Sequence, residues 1–132
     1  MDARLVSKLV LQAVEKRCVN IIGGKQQFAM LDVRDAASGT LAFLKTNPAQ
    51  WAPVYNFGSD RVYLLRQIAE LIQETAWRMY GWKINMIIKP DNAKLIDHMD
   101  CSRFYSAAKW QPKYQLTDTV EMLFRYYSEQ YN

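Results

Sequence analysis

Residues 21–37 read I-I-G-G-K-Q-Q-F-A-M-L-D-V-R-D-A-A, and no other stretch limits the possible folds so strongly. A short apolar, β-branched run ends at Gly23-Gly24, a pair that lets the backbone take positive φ and reverse direction. Phe28, Met30, Leu31 and Val33 form a second apolar run, expected to be a strand over 28–33. Asp35 then precedes a helical pattern (Ala36, Ala37, Leu41, Ala42, Leu44). There its carboxylate would cap free backbone N–H groups and meet the positive end of the helix dipole.

The flanking segments continue this alternation. Leu5, Val6, Leu9, Val10, Ala13 and Val14 lie in two adjacent rows, which predicts a helix over 3–17 with a broad buried stripe. That helix has no evident N-cap and begins almost at Met1, so further chain is expected ahead of it. A strand is expected at 19–22. Asn47-Pro48 ends the helix of 35–46, and a strand at 54–57 closes on Gly58-Ser59-Asp60, with Asn56 and Gly58 suited to left-handed turn geometry. Ile68, Leu71, Ile72, Thr75, Ala76 and Met79 mark a helix over 64–80, with Gly81 at its C′ position. A strand over 82–88 runs to Lys89-Pro90, and 91–99 reads as an exposed loop or a poorly defined strand. Asp100 is expected to cap a short helix (101–108) that Trp110-Gln111-Pro112 terminates, Trp110 plugging the gap beside it. Thr117 is expected to cap a last helix with the face Val120, Leu123, Phe124, Tyr127 and Tyr131. The fold class is α/β, a single small domain of alternating helices and short strands.

Composition narrows the function classes. The chain has 132 residues, of which 50% are hydrophobic and 23% charged, enough apolar material for one real core. The formal net charge of +4 comes from scattered lysines and arginines, a pattern of solvated surface and not of a nucleic-acid patch. Cys18, Cys101 and the single His98 cannot supply a zinc site of the usual spacing, and the thiols are expected to be reduced in a cytoplasmic protein. No apolar stretch reaches the ~20 residues a bilayer span needs, and the amino terminus does not look like a signal peptide.

Four segments, in order, resemble the C-terminal part of the NAD-dependent epimerase/dehydratase family (extended short-chain dehydrogenases). They are the glycine turn leading to Val33-Arg34-Asp35 at a helix start; Val54-Tyr55-Asn56-Phe57-Gly58-Ser59 followed by Leu64-Leu65-Arg66-Gln67-Ile68-Ala69-Glu70-Leu71-Ile72; Asp100-Cys101-Ser102-Arg103 followed by Lys109-Trp110-Gln111-Pro112; and the aromatic terminal helix. The resemblance implies that residues 1–132 form the smaller, substrate-binding C-terminal lobe without the N-terminal nucleotide-binding (Rossmann) half. The family's glycine-rich cofactor turn cannot be assembled from glycines at 23, 24, 39, 58 and 81. By the same resemblance NAD or NADP belongs to a full-length parent, no cofactor to this chain, and the lobe alone is not catalytically competent.

One literal match to the family's tyrosine–lysine pair exists, Tyr105 to Lys109. It falls inside the third segment, far from the family's catalytic helix, so no catalytic residue is assigned. The implied ligand is a sugar or nucleotide-sugar. The family's first diphosphate-binding cation falls at Gln27 or Phe28, with Lys25 close by, and the second in the Lys89-Pro90-Asp91-Asn92 loop. Arg34 has two readings, a substitute for a missing arginine or a surface ion pair, and His98 reads as an exposed bystander. The alternative is a non-enzymatic interaction or ligand-binding module derived from this lobe. In it Trp51, Trp77, Tyr80 and Trp82 would either form a partner surface or be the area that the Rossmann half covers.

Overall fold

A computed structural model describes residues 4–92 and 99–130. The first helix, α1 (Leu5–Lys16), buries Val6, Leu9, Val10, Ala13 and Val14, the rows read from the sequence, and its N-cap Arg4 makes no side-chain cap bond. It ends at Arg17, held left-handed at φ 52°, whose guanidinium donates back to Val14 O and lies 3.5 Å from the centre of the Trp82 ring. A cation there suits both the carbonyl end of the helix and the ring face. Tyr80 stacks on the same indole at 4.4 Å. Trp82 is thereby held as a side-chain plug, and the strand expected at 82–88 begins only at Asn85.

That strand, β4 (Asn85–Lys89), runs parallel to β1 (Cys18–Ile22), in register from Cys18↔Asn85 to Ile22↔Lys89. Val19 and Ile21 point into the core while Asn20 and Ile22 face out. The intervening chain forms the crossover a parallel pair requires. It holds β2 (Gln27–Ala29), α2 (Val33–Leu44), a 3-10 turn at Pro48–Gln50, β3 (Val62–Leu64) and α3 (Leu65–Tyr80). β2 and β3 pair antiparallel, Gln27 opposite Leu64. After β4 come α4 (Ser102–Ala108) and α5 (Leu116–Gln130).

The core lies where α1, α3 and α5 meet the inner face of β1. Ile68, Ala69, Ile72 and Ala76 of α3 and Val120 and Phe124 of α5 are fully buried there. Leu71, Met79, Leu123 and Tyr127 pack partly buried against them. Gly81 closes α3 in the left-handed conformation, at φ 69°.

Several expectations are corrected. The second apolar run is strand only to Ala29, and Val33 is already helical. Asp32, not Asp35, caps α2, accepting from Arg34 N at 2.8 Å. No strand forms at 54–57, because Tyr55 and Phe57 turn their rings onto Phe104 of α4 and leave the ladder to Val62–Leu64. Neither Asn56 nor Gly58 takes positive φ; Gly58 packs toward Met99 and Cys101. Thr117 lies inside α5, whose start is closed by Asp118 Oδ2 accepting from Gln115 N at 2.8 Å. Asp100 does cap α4, accepting from Ser102 N at 2.9 Å. The 93–98 part of the expected loop, with His98, and Tyr131 lie outside the described residues.

Phe124 touches both the helical core and the Tyr80–Trp82 pair. Phe124→Ala is expected to lower the unfolding free energy in urea by about 3–5 kcal/mol; a loss below about 1 kcal/mol would contradict its central place.

Candidate functional site

The glycine turn is built by backbone geometry and one side chain. Gly23 and Gly24 stand at φ 85° and 140°. Gln26 bridges the turn, donating to Ile22 O and accepting from Gly24 N, both at 2.7 Å. A Cβ on Gly23 would sit 2.7 Å from that amide. Gly23 N donates to Lys89 O at 2.8 Å, which ties the turn to the end of β4. Lys25 and Lys89 therefore both stand at the carboxyl end of the parallel β1–β4 pair, side chains exposed. The carboxyl end of parallel strands is where ligands of α/β sheets usually sit.

The other three residues singled out from the sequence are placed differently. Gln27 is half-buried on β2 beside the turn. Phe28 is a core side chain. Arg34 forks onto Asp32, with Nε and Nη2 each 2.9 Å from a carboxylate oxygen, and lies 3.8 Å over the Tyr114 ring. Of its two readings, the geometry is that of the ion pair.

Sequence reasoning missed a polar network behind Arg34. Asp32 also accepts from Thr119 Oγ1 at 2.6 Å. Burial pushes the Asp32 carboxyl up, but the hydrogen bonds from Arg34 and Thr119 outweigh it and hold the pKa below the ordinary value. Asp35 is fully buried and accepts from Lys113 N and Tyr114 N, each at 2.9 Å. From the other side Arg61 donates to Tyr114 O at 2.9 Å and Pro112 O at 3.2 Å. The strap 112–114 is thus held at both edges. Trp110 packs against Phe57, Phe104 and Tyr105 and donates Nε1–H to Ser38 Oγ at 3.0 Å, filling the gap expected of it. A Cβ on Gly39 would meet Phe57 at 2.9 Å and Trp110 at 3.0 Å, so only glycine fits beneath the two rings.

The Tyr105–Lys109 pair serves structure. The phenol accepts from Asp60 N at 3.2 Å and lies 3.3 Å from Gly58 O. Burial pushes its pKa up, the opposite of what a catalytic base requires. Lys109 closes α4 in the left-handed conformation, its N–H on Tyr105 O.

A pyrophosphate binds free N–H groups at a helix start, and the starts of α2 to α5 have donors already engaged. Leu65 N and Arg66 N, at the head of α3, donate to Gln26 O and Gly24 O at 2.8 and 3.0 Å. Carboxylates of Asp32, Asp100 and Asp118 occupy the starts of α2, α4 and α5. Among the described residues no cluster of three or more metal-ligating side chains occurs, and no helix is long and apolar enough to cross a membrane.

Among the described residues an apolar stripe on α2 lies open. Val33, Leu41 and Leu44 of α2, each at least 60% exposed, line up with exposed Ala37 along one side of the helix. Of the four aromatics singled out from the sequence, Tyr80 and Trp82 pack on the core and Trp51 stacks on Phe43 at 4.6 Å; Trp77 stays open.

No protein-family model matches the chain, and no curated protein matches it by sequence. Solved structures do match. UDP-glucuronic acid 4-epimerase from Bacillus cereus, in complex with UDP-glucuronic acid and NAD, aligns with 96% of this chain and 40% of its own at 20% identity and a TM-score of 0.75. RMD from Pseudomonas aeruginosa, complexed with NADPH, aligns with 97% and 41% at 18% identity and a TM-score of 0.72. A monomeric L-threonine 3-dehydrogenase of metagenomic origin aligns with 98% and 43% at 14% identity and a TM-score of 0.76. The likeness establishes the fold. It is a partial α/β lobe, and the chain spans about two-fifths of the length of these structures.

Two outcomes are expected of the polar network. Asp35→Ala removes the acceptor of two part-buried N–H groups and should cost on the order of 1–3 kcal/mol in urea unfolding. Because the Asp32 pKa is depressed, its pairing stabilises the fold above the ordinary value of 3.8 and is lost as pH falls below it. Asp32→Asn should therefore melt lower than wild type at about pH 7, with the gap closing at about pH 3.

Proposed function

We propose that residues 1–132 are the substrate-binding C-terminal lobe of an NAD(P)-dependent nucleotide-sugar epimerase- or dehydratase-like protein. The lobe closes over a separate nucleotide-binding half and does not turn over substrate alone. The observation that carries this reading is the likeness of nearly all of this chain to about two-fifths of enzymes whose structures hold NAD, NADPH or a UDP-sugar. Two features of the chain support it. The starts of α2 to α5 are closed by the chain's own carbonyls and carboxylates, and in this reading hydride chemistry is supplied by another body. The Val33–Leu44 stripe offers the apolar area that such a body would cover.

The lobe's task is binding and orientation. Lys25 and Lys89 supply point charges for a diphosphate, with Gln27 beside the turn as a neutral donor and acceptor. Phe28 acts from the core by fixing β2, and Arg34 by fixing the start of α2. The second reading, an interaction module that keeps the lobe without the enzyme, rests on the same open stripe and on Trp77.

Calorimetric titration with NAD and NADP decides whether the chain has its own dinucleotide site. Binding no tighter than about millimolar is expected; a micromolar dissociation constant would overturn the reading. A UDP-sugar should bind weakly, with Lys25→Ala/Lys89→Ala removing the binding; binding indifferent to that double change would overturn the assignment of the two lysines.

A further inference from the structure

The groove between α2 and α4 carries chemistry that the fold does not require. The carboxyl-terminal half of α2, the 3-10 turn and α4 wall a cleft of about 650 Å³. Gln50 and Ala107 also line a second cleft of about 490 Å³ along α4. Lys45 and Lys109 line the first and Arg103 the second, and no aspartate or glutamate lines either.

Most arginines of this chain have internal partners: Arg34 on Asp32, Arg61 on the carbonyls of 112 and 114, Arg66 on Glu70, Arg78 on Glu121. Among the described residues Lys45, Arg103 and Lys109 have no carboxylate partner. Three cations of one sign along a groove without an acidic wall give a positive potential that favours an anionic occupant.

The shape favours an extended occupant over a small one. Small-ligand sites enclose most of their ligand and converge a few polar groups on it. Here the cations stand exposed along two neighbouring clefts that share Gln50 and Ala107, over small side chains such as Ala42 and Ala107. The amide of Gln50, which lines both clefts, can donate to and accept from a peptide backbone. We infer that this groove binds an extended acidic peptide segment of a partner protein, Lys45, Arg103 and Lys109 pairing with its carboxylates and Gln50 with its backbone. None of these residues belongs to the substrate end at Lys25 and Lys89. Leu41, at the rim, is shared with the open stripe of α2, but the cations are not.

Fluorescence anisotropy with a labelled peptide of about eight residues, alternating glutamate with alanine, tests this at low salt. The expected dissociation constant is on the order of 10–100 µM, weakening several-fold as salt is raised to about 0.5 M. Lys45→Glu/Lys109→Glu should weaken binding at least about tenfold and Arg103→Ala about three- to tenfold. Lys16→Glu/Lys83→Glu, an equal change of net charge away from the groove, should leave binding within about twofold, with thermal melts showing each variant folded. No binding, an equal loss in both double variants, or tighter capture of an oligonucleotide of the same charge would overturn the inference.

Discussion

Free amide donors at the head of a helix are the condition for holding a pyrophosphate, and at the starts of α2 to α5 the fold engages donors of its own. The carbonyls of Gln26 and Gly24 receive Leu65 N and Arg66 N respectively, so the glycine turn closes α3 instead of opening it to an anion. The same turn is bolted to β4 through Gly23 N and Lys89 O. One backbone feature therefore joins β1, β4 and α3, aligns the parallel pair, and leaves side chains alone, Lys25 and Lys89, to meet whatever lies beyond the sheet end.

The second organising feature is the strap at 112–114. Asp35 grips it through two N–H groups and Arg61 through two carbonyls, so every bond is formed between a charged side chain and a backbone group. Around it Phe43, Phe57, Phe104 and Trp110 form an aromatic cluster apart from the aliphatic helical core. With α2 pinned from this side by Asp35 and Gly39, its opposite side, Val33 to Leu44, is left without a cover. In the proposed reading, that stripe is where a separate nucleotide-binding half would seat.

Much of this was legible in the sequence. The rows of α1, α3 and α5 are long and periodic, so most of their buried faces are legible. Leu65, Ala69, Leu116 and Ser128 are nevertheless buried outside the rows read, and Tyr131 lies outside the described residues. The α/β class followed from alternation, and Trp110 from its size and place. What failed depended on distant partners. Asp32 and Asp35 both precede a helical pattern, and only the meeting of Asp35 with Lys113, 78 residues away, decides which one caps. The aromatic run at 54–57 has strand composition, yet its rings find Phe104 before its backbone finds a ladder. At the candidate site, Lys25 and Lys89 could be picked singly, but their shared end of the sheet follows from the β1–β4 pairing. The open side of α2 was illegible because small and apolar residues occupy both of its faces.

The most direct measurement is sedimentation of this chain mixed with a separately produced polypeptide of the same organism that carries a glycine-rich dinucleotide turn. The expected result is a one-to-one complex, lost on Leu41→Glu/Leu44→Glu. No complex, or a complex indifferent to the α2 stripe, would contradict the picture of a lobe completed by a second body.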